Sequence, residues 1–257
     1  LSQTDYIIAF GLPFGLGPGA AMFLAFCILG AAFIRGYSGF GFSALVVSAS
    51  ALVTSPLNFV PVVMLLEVAA TIGQAPAAWP NANKRLLGLM LLGACIMMPL
   101  SVWGLASLDV DMLRVVISVW VLAMCALLLT GWSIRRQVGA PGYVAAGLVS
   151  GLANGAAVGG LPVALFLAAQ NIPAIVFRAT LIFYLCAIDL VALPMLGYNG
   201  LITSDTWVAA LISLPLLAIG VWLGGRRFIS ASPENFRRMA ISLLAFLAVL
   251  GLLKSAL

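Results

Sequence analysis

The chain has 257 residues, of which 64% are hydrophobic and only 7% charged, and its mean hydropathy is +1.20. A soluble globular domain is excluded, since its apolar share is nearer half and its charged share about a quarter. The net charge of +5 does not point to nucleic acid, because the basic residues stand in short pairs between hydrophobic runs, as in the cytoplasmic loops of membrane proteins.

The apolar segments are helix-length rather than ten-residue alternating strands, which favours an all-α polytopic membrane protein over a barrel. Residues 1–19 are polar and then rich in Gly and Pro, and read as an N-terminal interfacial segment. They carry no basic stretch or small-residue cleavage site, so no signal peptide is expected. An apolar run over 20–34 is interrupted at Arg35-Gly36-Tyr37-Ser38-Gly39-Phe40-Gly41 and resumes over 42–53. Neither piece is expected to span alone. At 1.5 Å per residue, pieces of this size reach about 18 to 23 Å, against a hydrocarbon core of about 30 Å. Full-length segments are expected at 58–79, 86–105 and 113–132.

The plan then repeats. Short runs at 142–153 and 158–169 flank Asn154-Gly155-Ala156-Ala157-Val158-Gly159-Gly160, and long segments follow at 174–196, 207–225 and 236–253. Gly36 and Gly155, Gly41 and Gly160, and Val102-Trp103 and Val221-Trp222 are each 119 positions apart. The chain therefore divides into the interfacial segment 1–19, a first repeat 20–136 and a second repeat 137–257. If each glycine break is a re-entrant hairpin, Lys84-Arg85, Arg135-Arg136, Arg226-Arg227 and Arg237-Arg238 share one face, and the loop with Asp109 and Asp111 lies on the other. Each repeat then crosses three times and the two are inverted, with both termini away from the basic loops. Paired broken segments of this kind mark the substrate site of many secondary transporters.

There is no histidine. The usual metal ligand and general base are thus missing, and an intramembrane enzyme is hard to build. Gly36-Tyr37-Ser38-Gly39 is similar to the nucleophile motif of rhomboid proteases, but that serine needs a histidine to activate it. No Walker sequence is present, so ATP-driven pumping is unsupported. Cys27, Cys95, Cys125 and Cys186 each stand alone in an apolar segment and read as buried small hydrophobes. No catalytic residue, metal site or cofactor is expected.

Four ionisable residues fall inside apolar segments: Arg35, Glu67, Arg178 and Asp189. Such residues are expensive in a membrane and default to a functional hypothesis. In the functional reading, Arg35, the hydroxyls of Tyr37 and Ser38 and the freed amides around Gly36, Gly39 and Gly41 form an anion site. Asn154, Gly155, Gly159 and Gly160 contribute from the second break, and Gln170, Asn171 and Arg178 add donors. In the plainer reading Arg35 only neutralises Glu67, Arg178 snorkels, and the glycines serve helix packing, which suits Gly147 and Gly151 well. Glu67 and Asp189 are the intramembrane carboxylates available for proton coupling, Asp189 the better placed. An anion leaving a negative-inside cell gains about 2.3 kcal/mol per charge per 100 mV, so export needs no coupling ion, whereas uptake does.

The twin glycine breaks opening two halves of similar length, with Gly159-Gly160-Leu161-Pro162 leading into Val163-Ala164-Leu165, resemble the sulfite exporter TauE/SafE family over essentially the whole chain from Ala20. The first half departs from this pattern, having Ser43 where the equivalent proline would stand and Gly39-Phe40-Gly41 in place of a straight glycine run. The resemblance implies a bacterial inner-membrane carrier of small sulfur-containing anions such as sulfite, sulfoacetate or another organosulfonate. A small-anion channel is the competing expectation. The implied partners are the oxyanion and the lipid bilayer, with a homo-oligomer left open.

Overall fold

Proline, asparagine and aspartate mark where the helices begin. Pro18 and Pro56 open two of them at positions that need no N–H, while Asn83 and Asp109 accept from the amides of Leu86 (3.2 Å) and Met112 (2.8 Å) at two others. The structure, a computed structural model, describes residues 11–228 apart from 131–133, 135–137 and 171. The described residues form nine α-helices: α1 Pro18–Ser38, α2 Phe42–Val53, α3 Pro56–Ala78, α4 Lys84–Ser107, α5 Val110–Leu129, α6 Ala140–Asn154, α7 Gly160–Ala168, α8 Ala174–Tyr198 and α9 Ser204–Phe228. Six of these, α1, α3, α4, α5, α8 and α9, are long and apolar enough to cross a membrane. The expected span 236–253, Arg135-Arg136 and Arg237-Arg238 lie outside the described residues.

One expectation is corrected. The first apolar piece was too short to cross if it ended at Ile34, but α1 continues through Arg35, Gly36 and Tyr37 to Ser38 and reaches 21 residues. At 1.5 Å per residue that is about 31 Å, enough for the hydrocarbon core. Arg35 does not end the helix because its charge is met by partners on α3. The break is confined to Gly39, Phe40 and Gly41, where the two glycines take φ of 85° and 90°, a left-handed conformation that side chains other than glycine resist. The second break falls where expected, between Asn154 and Gly160.

Charge separates the two ends of the bundle. At one end, the Phe14 amide just before α1 donates to Asp205 Oδ2 (2.6 Å), and the Phe14 ring meets Phe59 near the start of α3. Arg114, paired with Asp111 (2.7 Å), donates to the Thr54 carbonyl at the end of α2 (3.2 Å). The first hairpin therefore starts and finishes at this acidic end. At the other end, Lys84 lies over Trp79 and Arg226 over Trp222. A cavity of about 750 Å³ between α3, α8 and α9 opens there, with Asn81, Arg178 and Arg226 in its wall.

Helices α6 and α7 form an antiparallel hairpin. Ser150 Oγ donates to the Gly159 carbonyl (2.6 Å) at its tip, and Tyr143 stacks edge-on against Phe166 at its base. The base leads through a short link into α8, so this hairpin belongs to the basic end.

The tightest helix crossings exchange partners between the halves. Helix α1 packs on α9, and α6 packs on α4. Both crossings are built from small residues: a Cβ added at Gly224 would strike the Phe33 carbonyl, and one added at Gly147 would strike the Met90 carbonyl. Lipid tails give no hydrophobic drive to helix association, so close backbone approach and dispersion carry these contacts. Gly30 on α1, by contrast, faces open space. Gly147→Leu and Gly224→Leu should each lower the thermal midpoint of the detergent-solubilised protein by an equivalent of about 1–3 kcal/mol or more. Gly30→Leu should stay within about 0.5 kcal/mol of wild type. Equal melting of the three variants would mean that the close crossings do not hold the bundle.

Candidate functional site

The first break is held by an ion pair with no exposure to solvent. Arg35 Nη1 donates to Glu67 Oε2 (3.0 Å), while Nη2 donates to Thr71 Oγ1 (2.9 Å) and to the Glu67 carbonyl (3.3 Å). Ser43, the second residue of α2, donates to the other carboxylate oxygen of Glu67 (3.0 Å). Glu67 on α3 thus ties together both arms of the first hairpin. A buried charge pair survives only if geometry and extra hydrogen bonds repay the loss of water, and here both carboxylate oxygens and both terminal guanidinium nitrogens are engaged. The Nε–H of Arg35 is buried and has no acceptor among the described residues.

The second break is built alike but without a cation. Asn154, which stands 119 positions after Arg35 and ends α6 as Arg35 nearly ends α1, donates through Nδ2 to Asp189 Oδ1 (3.1 Å). Asp189 on α8 is buried, as is Asn154. Helices α3 and α8 cross at the centre of the molecule, where Thr71 Oγ1 approaches the Ile182 carbonyl (3.4 Å). The two carboxylates are carried on this central pair and lie within electrostatic reach of each other.

Helix α8 also touches both breaks. Phe177 meets Phe40 edge-on, Leu185 packs on Gly160, and Arg178 Nη2 donates to the Gly36 carbonyl (2.6 Å). That carbonyl belongs to the last turn of α1, where helices leave acceptors unsatisfied and favour positive charge. Arg178 therefore caps the first hairpin from the second half of the chain, and it also lines the cavity at the basic end.

The remaining sequence candidates divide. Tyr37 is buried, and the Ser38 hydroxyl has the Ile34 and Phe40 carbonyls as acceptors for its one proton (2.8 and 3.0 Å). Gly36 lies inside α1 against the Val221 backbone, and Gly155 lies against Ser101, whose hydroxyl accepts from the Gly155 amide (2.8 Å). Gly159 and Gly160 lead into α7 beside Asn154 and Leu185. Gln170 is not brought to the break: it sits at the base of the second hairpin, accepting from the Tyr143 hydroxyl and donating to the Phe166 carbonyl (3.1 Å). Asn171 lies outside the described residues.

Several residues that shape the site were not read from the sequence. Thr71 lies one turn beyond Glu67 and could have been found from that spacing. Ser150 and Tyr184 carry no such signal. Nor does Ala157, which takes φ of 57° in the second break while its amide donates to the Asn154 carbonyl (2.8 Å). A left-handed alanine costs roughly 1–2 kcal/mol, and such strain persists only where the surroundings impose it.

No curated protein and no solved structure matches the chain. A family model does: that of the sulfite exporter TauE/SafE family, over residues 24–250. The match takes in α1 from Leu24 onward, the rest of both hairpins, the central α3–α8 pair and the other membrane-length helices among the described residues. The chain is a multi-pass membrane transporter rather than an enzyme, and it belongs to the sulfite exporter TauE/SafE family.

Proposed function

We propose that the protein is a secondary transporter, working as an exporter in a bacterial inner membrane, of a small sulfur oxyanion such as sulfite, sulfoacetate or another organosulfonate. The anion binds between the two broken hairpins. The observation that carries this reading is that α2 and α7 both begin among buried residues and neither has a side chain capping its first amides. Free N–H groups and the positive end of the helix dipole make such starts ready anion sites. In the first break the freed donors belong to Phe42, Ser43 and Ala44, with the Arg35 Nε–H beside them. In the second the donor is the Gly160 amide, since the Leu161 amide donates to the Val158 carbonyl (3.4 Å) and Pro162 has no N–H. A sulfonate or sulfite offers three acceptor oxygens, which suits donors converging from two directions. Arg178 stands between the basic-end cavity and the first break, as a cation drawing anions inward.

The two halves are proposed to be inverted repeats. The exchange of packing partners between α1–α9 and α4–α6 supports this, as do the opposite ends from which the two hairpins enter. The basic end is assigned to the cytoplasm. Single cysteines placed at Asn81 and Arg226, in a background lacking the native cysteines, should be labelled by an impermeant reagent only from the cytoplasmic side, and those at Asp109 and Asp205 only from outside. Labelling of Asn81 and Asp205 from the same side would overturn the arrangement.

Reconstituted vesicles preloaded with sulfite or sulfoacetate should show saturable counterflow of labelled substrate. Flux without saturation or counterflow would favour a channel. If Arg35 holds the anion through its remaining Nε–H while its fork is engaged by Glu67 and Thr71, Arg35→Lys should weaken substrate binding nearly as much as Arg35→Ala, because an ammonium drawn to Glu67 keeps the charge but has no second, fixed N–H to offer.

The ion pair gives a separate test. Glu67→Ala leaves a buried arginine without its partner and should destabilise the protein by about 3–5 kcal/mol in a thermal melt. The double variant Arg35→Ala with Glu67→Gln should recover much of that stability but not transport. Full recovery of transport would show that Arg35 acts only to neutralise Glu67.

A further inference from the structure

We propose that Asp189, together with Asn154, Ser150 and Tyr184, forms a binding site for one exchangeable monovalent cation, a proton or a sodium ion, that enters and leaves with the transported anion. The coupling to an anion rests on the transporter reading above. The cation site does not.

The internal comparison of the two halves carries the argument. In each half a polar side chain in the last turn of a hairpin's first arm, Arg35 or Asn154, reaches a carboxylate on the helix after the hairpin, Glu67 or Asp189. The register between the carboxylates slips by three residues, since 119 positions after Glu67 is Cys186, so they lie within one turn of equivalence. The helix ends around them are matched as well: α1 and α6 finish at the breaks, and α2 and α7 begin there. Those dipoles therefore cancel from the comparison, and the difference is one positive charge. In the first half a resident guanidinium neutralises the carboxylate. In the second its place is taken by a neutral amide.

Among the described residues, the charged and titratable groups facing Asp189 do not supply a cation for it. Helix α3 presents Glu67, of like charge, and α1 presents Arg35, which is already committed to Glu67. Helix α8 itself contributes Tyr184 and Cys186, and α4 places Cys95 near Tyr184. From α6 comes only Asn154, and α7 has no ionisable residue. An isolated carboxylate in so dry an environment is strongly disfavoured unless a cation joins it.

A second observation points to a ligand. The Tyr184 hydroxyl is completely buried, lies beside Ser150 and within electrostatic reach of Asp189, yet makes no hydrogen bond of acceptable geometry among the described residues. Asp189 thus has the Tyr184 phenol within electrostatic reach and the Ser150 hydroxyl beside that phenol, next to the unwound backbone whose Gly159 carbonyl accepts from Ser150, while Asn154 turns an N–H to the carboxylate. Hard oxygen donors of this kind suit sodium, and the carboxylate alone suffices for a proton.

Occupancy also links the cation to the anion. With Asp189 bare, an anion reaching the breaks would meet the charge of Asp189 added to that of an already neutralised Glu67–Arg35 pair. With the cation in place that repulsion is removed.

Three purified proteins decide the matter: wild type, the isosteric Asp189→Asn, and Asn154→Arg, which copies the first half into the second. All are first checked for monodispersity and thermal unfolding, and the readouts need no transported substrate. In the sodium case, wild type binds radioactive sodium and both variants lose that binding. In the proton case, no sodium binds, but wild type shows the infrared carbonyl stretch of a protonated carboxyl group, which disappears in both variants. Either result supports the site. If Asp189→Asn is folded and wild type shows neither sodium binding nor a carboxyl band that the substitution removes, Asp189 is an ionised structural residue and the proposal is overturned. Cation binding in a protein that moves no sulfite or sulfoacetate would instead overturn the substrate assignment and leave the cation site standing.

Discussion

The structure depends first on the ion pair between Arg35 and Glu67. Both are shielded from solvent, and moving either charge alone out of water would be strongly unfavourable, by several kcal/mol even after relaxation. The two are tolerable only together, and only because Thr71, Ser43 and the Glu67 carbonyl complete the hydrogen bonds. This requirement fixes where α1 lies against α3, and through Ser43 where α2 starts. The first hairpin is therefore anchored at its tip, the point where a glycine-broken helix would otherwise be least determined.

Elsewhere the bundle is held by shape. The α1–α9 and α4–α6 crossings place backbone against backbone at small residues, and each joins a helix of one half to a helix of the other. The capping of Gly36 by Arg178 does the same with a hydrogen bond. The halves are consequently interlocked rather than stacked side by side. Helix α8 reaches the first hairpin through two adjacent residues, Phe177 on Phe40 and Arg178 on the Gly36 carbonyl, and the second through Leu185 on Gly160.

Much of this was legible in the sequence because membrane helices advertise themselves by uninterrupted apolar length. The spans at 58–79, 86–105, 174–196 and 207–225 lie within four residues of the helices found, and the second break was placed well by its run of glycines. The first break began too early because a charge followed by glycine looks like an interruption. Only the three-dimensional partner, 32 residues away on α3, lets the helix run through Arg35. The Arg178–Gly36 contact, across 142 residues, had no local signature at all. Gln170 was grouped with the break because it follows α7. An antiparallel hairpin puts the end of its second arm at the base, so adjacency in sequence misled there. The left-handed Ala157 was equally hidden, since alanine gives no hint of that conformation.

The repeat is instructive where it fails. A duplicated hairpin with a basic residue in both copies would have neutralised both carboxylates and produced a rigid, electrically closed centre. Instead Asn154 stands where Arg35 stands in the other half, and among the described residues the buried Asp189 has no cation of its own. Such an imbalance cannot be settled by packing, because rearranging apolar side chains does not change charge. It can be settled by a mobile cation, and a site that is balanced only when loaded changes its electrostatics each time it empties. Under the proposed function, that change acts on an anion at the breaks directly, through Coulomb interaction in a low-dielectric interior. The fold thus places a fixed positive charge beside one buried carboxylate and a neutral amide beside the other, with helix crossings that join the two halves.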